Sequence, residues 1–518
     1  MAVLLFLTLL GSYAYFWQSR DWNTATRLML TYSLADRHVL TIDGLEQQAG
    51  QREFNPLTRR FEIVAGDLAR FGPHYFTDKA PGQSLLGLPV YAMGKLAGLL
   101  PHPLHRPAIA YWPADYWVTL GTSGVCTAAL AVVLYAFSLR LGATHFGGVL
   151  VGLGYGLGSP AFLYATLFYG HQAAAFCATT SFFLLYRAAN EGRASAWHMI
   201  VSGLLAGLLP VIEYQTIGLS VILGIYAVVA VHRVRPIVVF VFAAGFAASL
   251  LAVYNLRAFG HPLELSYAHE VSREFQAIHS ADNPIGLRVP DARKAGDTVS
   301  MLLSSSFRGL AFFAPILLAV PLGLVVLFAR RFWGVELVVV DAFAWMLFVN
   351  VSYPLPEGGW CTGPRFLLPA LPFLFLAVAG LLGLRLRGVL NALMAVAVTA
   401  SAGLMLGCVA VGGRFPPVFR DPIMEIVVPR WGGNPTDGVS AIAGGRQFEW
   451  NVGRWLLAQL VPAEWQPPEP SPWLDLQFAP LAVFWLVMFG VLAGRTLRRR
   501  GEKLLPASAV EPAEPLRT

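Results

Sequence analysis

The chain has 518 residues, 56% of them hydrophobic and only 13% charged, about half the charged fraction of a soluble domain, which excludes an ordinary soluble enzyme and points to an all-α polytopic membrane protein. Its net charge of +7 does not mark a nucleic-acid binder, because the lysines and arginines gather in short clusters between apolar runs. Cys126, Cys177, Cys361 and Cys408 match no metal-ligand spacing, and only Cys361 with Cys408 is left as a conceivable disulfide.

A helix crossing about 30 Å of hydrocarbon needs roughly 17 to 25 apolar residues. Residues 1–17 carry no basic leader and no small-residue cleavage site and end in aromatics, so they read as an uncleaved first span. Further runs follow at 116–138, 144–165, 171–187, 197–212, 215–231, 235–256, 309–329, 334–353, 366–385, 388–411 and 476–494. The stretch 83–100 is long enough to cross but contains Pro89 and Lys95 and leads into Pro101 and Pro103. It is predicted to lie along the outer interface, or to dip in and return where protein buries it.

With 83–100 left out of the count, Arg140, Arg187, Arg193, Arg233, Arg235, Arg330, Arg331, Arg385 and Arg387 share one side with the tail RTLRRRGEK at 495–503. The positive-inside rule makes that side the cytoplasm and places both termini there. The predicted organisation is about twelve transmembrane helices plus extracytoplasmic juxtamembrane helices. A transmembrane unit covers 1–412 and includes an outer loop at 18–115. An outer loop or small subdomain follows at 413–475, then a last span at 476–494 and a basic, disordered tail at 495–518. The long segments 18–115, 257–308 and 413–475 fall outside, so any chemistry is expected there.

In TDKAPG, residues 77–82, a lysine precedes Pro81, and proline is favoured in the first turn of a helix. A helix is predicted to start near Pro81. Its unpaired N–H groups, with Lys79 beside them, form a candidate anion site at the membrane surface. The turn EGGWCTGPR repeats this grammar and ends in Arg365, a residue able to grip phosphate through two parallel hydrogen bonds. A third outward start, FYGHQ, presents His171. Among the acids, Asp21 follows the first span by a few residues, where a carboxylate can take a proton from a bound hydroxyl. Asp36 and Asp67 read as solvated loop charges. Glu213 sits between two apolar runs and reads as a cavity residue.

No GxxxxGK[ST], post-strand GxGxxG, HExxH or CxxCH motif occurs, so ATP hydrolysis, haem attachment and zinc proteolysis have no support. An enzyme working on the outer face has no access to cytoplasmic nucleotide sugars. Its activated group must arrive on a lipid, and a polyprenyl phosphate supplies one.

Four stretches, NTATRLMLTYSLADRHVLTIDG at 23–44, GPHYFTDKAPGQSLLGLP at 72–89, SPAFLYATLFYGHQ at 159–172 and EGGWCTGPRFLLPALP at 357–372, together resemble the lipid-linked-sugar glycosyltransferases of the GT-C fold. The likeness is to the bacterial branch similar to protein O-mannosyltransferases and the lipid A aminoarabinose transferase. It covers about the first 260 residues and the loop near 357. The resemblance implies an inverting transfer in which a carboxylate deprotonates an acceptor hydroxyl while basic residues hold the departing polyprenyl phosphate. Asp78 and Lys79 match the acidic residue and lysine of the family's second motif, and Pro81 its second proline, while Ala80 replaces the first.

The family usually carries a pair of acids after the first span, whereas here the chain reads Arg20-Asp21-Trp22-Asn23. Asp21 or Asp43 is then the base, and Asp78 orients the sugar, binds a metal or serves as the base itself. Lys79, Arg365, Arg27 and His171 are the expected phosphate-binding residues, with Tyr75, His74, Glu213 and Glu357 lining the substrate cavity. The resemblance names no required cofactor and admits a divalent metal. The implied partners are a polyprenyl-phosphate-linked sugar donor, an acceptor glycan, lipid or protein, and the bilayer, with no nucleic acid. The implied location is a bacterial inner membrane, multi-pass, with the active site extracytoplasmic.

The alternative is a multi-spanning transporter or a lipid or glycolipid flippase without transferase chemistry. Such proteins often show halves of matching hydropathy, and here the loop 18–115 has no counterpart in the second half. A non-catalytic membrane scaffold is the third reading.

Overall fold

The computed structural model describes residues 1–18, 20–45, 51–55, 60–64, 67–98, 113–190, 195–279, 283–384, 387–432, 448–460 and 476–502. These residues are mostly helical. The principal helices in chain order are α1 (Ala2–Ala14), α2 (Trp22–Tyr32), α3 (Gly82–Leu96), α4 (Pro113–Arg140), α5 (His145–Gly156), α6 (His171–Asn190), α7 (Ala196–Ile212), α8 (Ile217–Val231), α9 (Val234–Phe259), α10 (Ala292–Ser304), α11 (Pro315–Ala329), α12 (Trp333–Ser352), α13 (Leu371–Leu381), α14 (Arg387–Ala410) and α15 (Ala479–Glu502). Among the described residues the strands form three two-stranded antiparallel sheets.

Each of the twelve apolar runs is helical over at least part of its length. Among the described residues six helices are long and apolar enough to cross a membrane: Pro113–Arg140, Tyr214–Val231, Val234–Phe259, Trp333–Ser352, Gly388–Ala410 and Leu476–Thr496. The rest depart from the predicted spans for local reasons. The run 144–165 is not one helix, because α5 ends at Gly156 and the chain turns through Ser159 and Pro160 into the short helix Ala161–Ala165. The run 309–329 breaks before Pro315, whose ring removes a helical hydrogen bond. α6 has 20 residues, but its buried Gln172, Thr179 and Ser181 dilute its apolar character.

α13 is buried at all 11 positions, as a helix that is apolar all round must be, and it packs against α11, α12 and α4. The opposite extreme is α9, whose Val241, Phe242, Phe246 and Val253 are exposed. Its other side meets α7 at very short range. A Cβ added at Gly203 would stand 2.4 Å from the Phe240 carbonyl oxygen, and one at Gly207 would stand 2.1 Å from that of Ala244. Small residues at such positions let two backbones approach and pack in a membrane.

Three features position the residues between the apolar helices. Asp21 caps α2 by accepting the Thr24 N–H at 2.7 Å. α3 starts at Gly82 with Pro81 as its N-cap, as predicted, and a Cβ at Gly82 would stand 2.6 Å from the Val211 oxygen, so its first turn is set against the end of α7. α3 is also pinned at its far end, where Asp36 pairs with Lys95 and accepts the Tyr91 hydroxyl at 2.9 Å. The third feature is the antiparallel pairing of β1 (Phe16–Trp17) with the strand Trp450–Asn451, which ties the segment after α14 to the end of α1. All four cysteines are free. Cys361 donates instead to the Glu357 carbonyl at 3.2 Å, which closes the pairing with Cys408 that the sequence left open.

A valine at Gly207 forces α7 off α9. Overpacking of this kind costs about 1–3 kcal/mol, so Gly207→Val lowers the thermal midpoint in detergent, while Gly224→Val on α8, where nothing stands within 4 Å of the new atom, leaves it unchanged.

Candidate active site

The TDKAPG turn delivers Asp78 and Lys79 into a buried acidic centre rather than an open anion site. The Lys79 Nζ stands 2.6 Å from Asp78 and 3.2 Å from Asp67, and over the Tyr267 ring at 5.7 Å. Asp67, read from sequence as a solvated loop charge, is buried, and so is Asp36 at its own ion pair. Glu270, from the loop after α9, completes the group. Asp78 Oδ1 and both Glu270 carboxyl oxygens receive no hydrogen bond from a protein N–H or O–H. The two carboxyls are close enough for one to donate to the other, and two such groups cannot both ionise.

Burial pushes the Asp78 carboxyl well above its ordinary range against the pull of Lys79, and Glu270 and Asp67 push it further. Burial likewise drives Glu270 up to about 8. Burial alone would lower the Lys79 ammonium, but Asp67 and Asp78 outweigh it and hold Lys79 well above its usual value. Three carboxyls around one ammonium favour a cation over an anion, so Lys79 is committed to its acidic neighbours. A divalent metal fits poorly here too, because the ammonium already occupies the point where the carboxylates converge. Among the described residues no group of three His, Cys, Asp or Glu side chains is arranged to hold a metal ion.

Beneath this centre lies a second ion pair. Arg27, 1% exposed, donates to Glu213 at 2.7 Å, to the Ala80 carbonyl at 3.4 Å and, through Nε, to Asn23 Oδ1 at 3.0 Å. Glu213 also stands 3.6 Å from His171 Nδ1. A Cβ at Gly170 would lie 2.4 Å from Glu213 Oε1, so glycine there is what admits the carboxylate. Arg27 and His171, both expected at the donor phosphate, are thus turned toward Glu213.

Arg365 has different surroundings. The turn before it runs through Gly358 at φ +76° and Gly363 at φ +64°, left-handed conformations that glycine alone adopts easily. Arg308 holds this turn by donating to the carbonyls of Glu357 at 3.0 Å, Gly359 at 2.8 Å and Phe415 at 2.9 Å. The half-buried Arg365 guanidinium lies 4.8 Å from the Phe366 ring and 6.0 Å from that of Tyr169. Its Nε has no hydrogen-bond partner, and no carboxylate pairs with it among the described residues. Tyr169 donates its hydroxyl to Asp21. Arg414 stands 3.7 Å from Asp21 and 3.7 Å from Glu449.

A row of rings links the two regions. Tyr169 and His171 are 5.8 Å apart between centroids, His171 and Phe366 6.3 Å, Phe366 and Tyr353 5.5 Å, Tyr353 and His279 6.0 Å, and His279 and Tyr267 4.3 Å. The row begins at Arg365 and ends over Lys79. Four sequence-distant stretches, 23–44, 72–89, 159–172 and 357–372, therefore contribute Arg27, Lys79, Tyr169 and Arg365 to one neighbourhood.

Four expected residues stand apart from it. Asp43 accepts the Tyr75 N–H at 2.7 Å and meets His74 Nδ1 at 2.7 Å, an arrangement that fixes the hairpin Leu68–Phe71 and His74–Thr77. Burial would raise its carboxyl, but the Tyr75 N–H and the His74 ring outweigh burial and hold it below the usual carboxylate range. Glu357 contributes its carbonyl to Arg308 and Cys361. Sequence reasoning passed over Asp67, Glu270, Tyr267, His279, Tyr353, Tyr169, Arg414 and Glu449. Of these only Tyr169 lies in a stretch with a local signal, the FYGHQ turn, and the others arrive by tertiary packing.

Neither a protein-family model nor a curated protein matches this chain. Among solved structures, ArnT from Cupriavidus metallidurans in the apo state is similar at 14% identity and a TM-score of 0.46, with 96% of this chain and 76% of that one covered. The same protein bound to undecaprenyl phosphate is similar at a TM-score of 0.40. The archaeal oligosaccharyltransferase AglB from Archaeoglobus fulgidus, in complex with an inhibitory peptide and a dolichol-phosphate, is similar at 11% identity and a TM-score of 0.42, with 91% of this chain and 61% of that chain covered.

The acidic centre makes stability depend on pH. The Glu270 carboxyl rises from 4.5 to about 8 on folding, so between those values the folded state holds a proton that the unfolded state has released, and stability falls as pH rises through that window. Glu270→Gln, which cannot ionise, removes this dependence. Its thermal midpoint relative to the parent chain is expected to rise steadily between pH 5 and pH 8, and a constant difference across that range would count against the assignment.

Proposed function

We propose that this chain is a membrane glycosyltransferase of the GT-C type that transfers a sugar from a polyprenyl-phosphate-linked donor to an acceptor hydroxyl. The observation that carries the reading is Arg365, a half-buried guanidinium stacked on two rings, with Nε unbonded and no carboxylate partner among the described residues. A cation in such surroundings calls for an anion from outside the chain. Tyr169 contacts both it and the carboxylate of Asp21, and the resemblance of the four motif stretches supports assigning the anion as a lipid-borne phosphate.

In this reading the donor phosphate sits on Arg365 and its sugar lies along Phe366 and Tyr353, toward the acidic centre. Rings of this kind offer an apolar face beside a polar edge. Asp21 is the base. Its Oδ1 is used by the Thr24 N–H, and its side chain keeps 18% exposure, so a lone pair on Oδ2 remains open to an acceptor hydroxyl. Asp78 is fully buried against Lys79 and Asp43 faces His74 on the hairpin, which leaves Asp21 as the preferred base of the three.

Asp21 takes the proton of the acceptor hydroxyl as its oxygen attacks the anomeric carbon. The bond from that carbon to the phosphate oxygen breaks, and polyprenyl phosphate departs with its added negative charge on Arg365. The proton on Asp21 then passes to solvent. Lys79, with Asp67, Asp78 and Glu270, supplies hydrogen-bonding groups at the far end of the ring row. In this reading the site lies on the extracytoplasmic face of a bacterial inner membrane, a placement that the arginine distribution along the chain supports as to side.

The test is transfer from a radiolabelled polyprenyl-phosphate sugar in membranes that carry the full chain. Arg365→Ala is expected to lower the rate about a hundredfold, the typical cost of losing one charge-stabilising donor. Arg365→Lys, which keeps charge but loses the paired donors, falls between. Undiminished transfer by Arg365→Ala would overturn the reading.

A further inference from the structure

The base and the phosphate-holding cation of the proposed reaction are joined by one side chain. Tyr169 is 2% exposed and lies in the turn just before α6, where its N–H bonds to the Leu167 carbonyl at 2.8 Å and its own carbonyl accepts the Ser123 hydroxyl at 3.4 Å. Its successor Gly170 is packed against Glu213. Its ring is flanked by Tyr164 at 5.6 Å and His171 at 5.8 Å. The backbone and ring are therefore fixed before either functional contact is made.

From that position the hydroxyl donates to Asp21 Oδ2 while the ring face underlies the Arg365 guanidinium at 6.0 Å. A helix N-cap explains the contact of Asp21 Oδ1 with the Thr24 N–H, but it gives no reason for a buried tyrosine to reach the other oxygen. Nor does packing alone explain why that same ring carries a guanidinium with an unbonded Nε. We propose that Tyr169 is a positioning residue with two separable tasks: its hydroxyl aims the Asp21 carboxylate at the acceptor, and its ring holds Arg365 at the donor phosphate. This rests on the reading of Asp21 and Arg365 given above.

The two tasks belong to different atoms, so two substitutions separate them. Tyr169→Phe keeps the ring and removes the hydroxyl. Asp21 Oδ2 then keeps its 3.7 Å approach to Arg414, which itself stands 3.7 Å from Glu449, and loses the hydroxyl that aims it. kcat is expected to fall about tenfold, the equivalent of one hydrogen bond of roughly 1.4 kcal/mol, while KM for the polyprenyl-phosphate donor stays constant. Tyr169→Ala removes the ring as well and raises the donor KM in addition.

The experiment uses the full chain in proteoliposomes with labelled donor, and includes Asp21→Asn and Arg365→Ala. If those two are inactive while Tyr169→Phe has the parent kcat, the coupling is wrong and the reading of the site survives. A Tyr169→Phe donor KM that rises as far as that of Tyr169→Ala also overturns the division of tasks. Parent-level transfer by Asp21→Asn or Arg365→Ala sinks the underlying reading itself.

Discussion

The buried pair of Arg27 and Glu213 is the constraint on which the rest of this site is built. Arg27 comes from α2, Glu213 from the end of α7, and the Ala80 carbonyl that Arg27 also meets lies at the start of α3. Glycines at positions 82 and 170 let α3 and the turn before α6 close on the same point. Removing one partner of such a buried pair strands a charge, at a cost of about 3–5 kcal/mol. The pair thus ties together the elements that carry Asp21, Lys79 and Tyr169, and its contribution is placement rather than chemistry.

Around that anchor the cations divide by how they are satisfied. Arg27 has Glu213, Arg308 has backbone carbonyls, and Lys79 has two carboxylates with a third nearby. Arg365 differs, because aromatic faces support its charge without neutralising it. In surroundings where an unpaired ion is costly, that contrast is why the proposed reading gives the incoming anion to Arg365 rather than to cations that already have their partners. The row of rings from Phe366 to Tyr267 then connects the cationic end of the site to an acidic one.

Much of this was legible in the sequence, and the limits have physical causes. Hydropathy locates the apolar runs because lipid demands a satisfied backbone. It does not see that α5 stops at Gly156, or that Pro315 splits a run, since those breaks are buried by neighbouring helices. The start of α3 follows from Pro81, and Arg365 follows from the glycine-rich turn before it, both local rules. Which cations are already paired is not a local property. Asp67 and Glu270 reach Lys79 from different parts of the chain, so a lysine that reads as an anion ligand on its own strand becomes the centre of a carboxylate cluster. Asp36 likewise reads as solvated and is buried against Lys95.

The central claim is that the phosphate of the lipid carrier is held at Arg365, and it is tested most directly by equilibrium binding of polyprenyl phosphate to the purified chain. The account predicts that Arg365→Ala loses this binding while Lys79→Met, though less stable, retains it. Binding that persists in Arg365→Ala and disappears in Lys79→Met would contradict the account and return the phosphate to the start of α3.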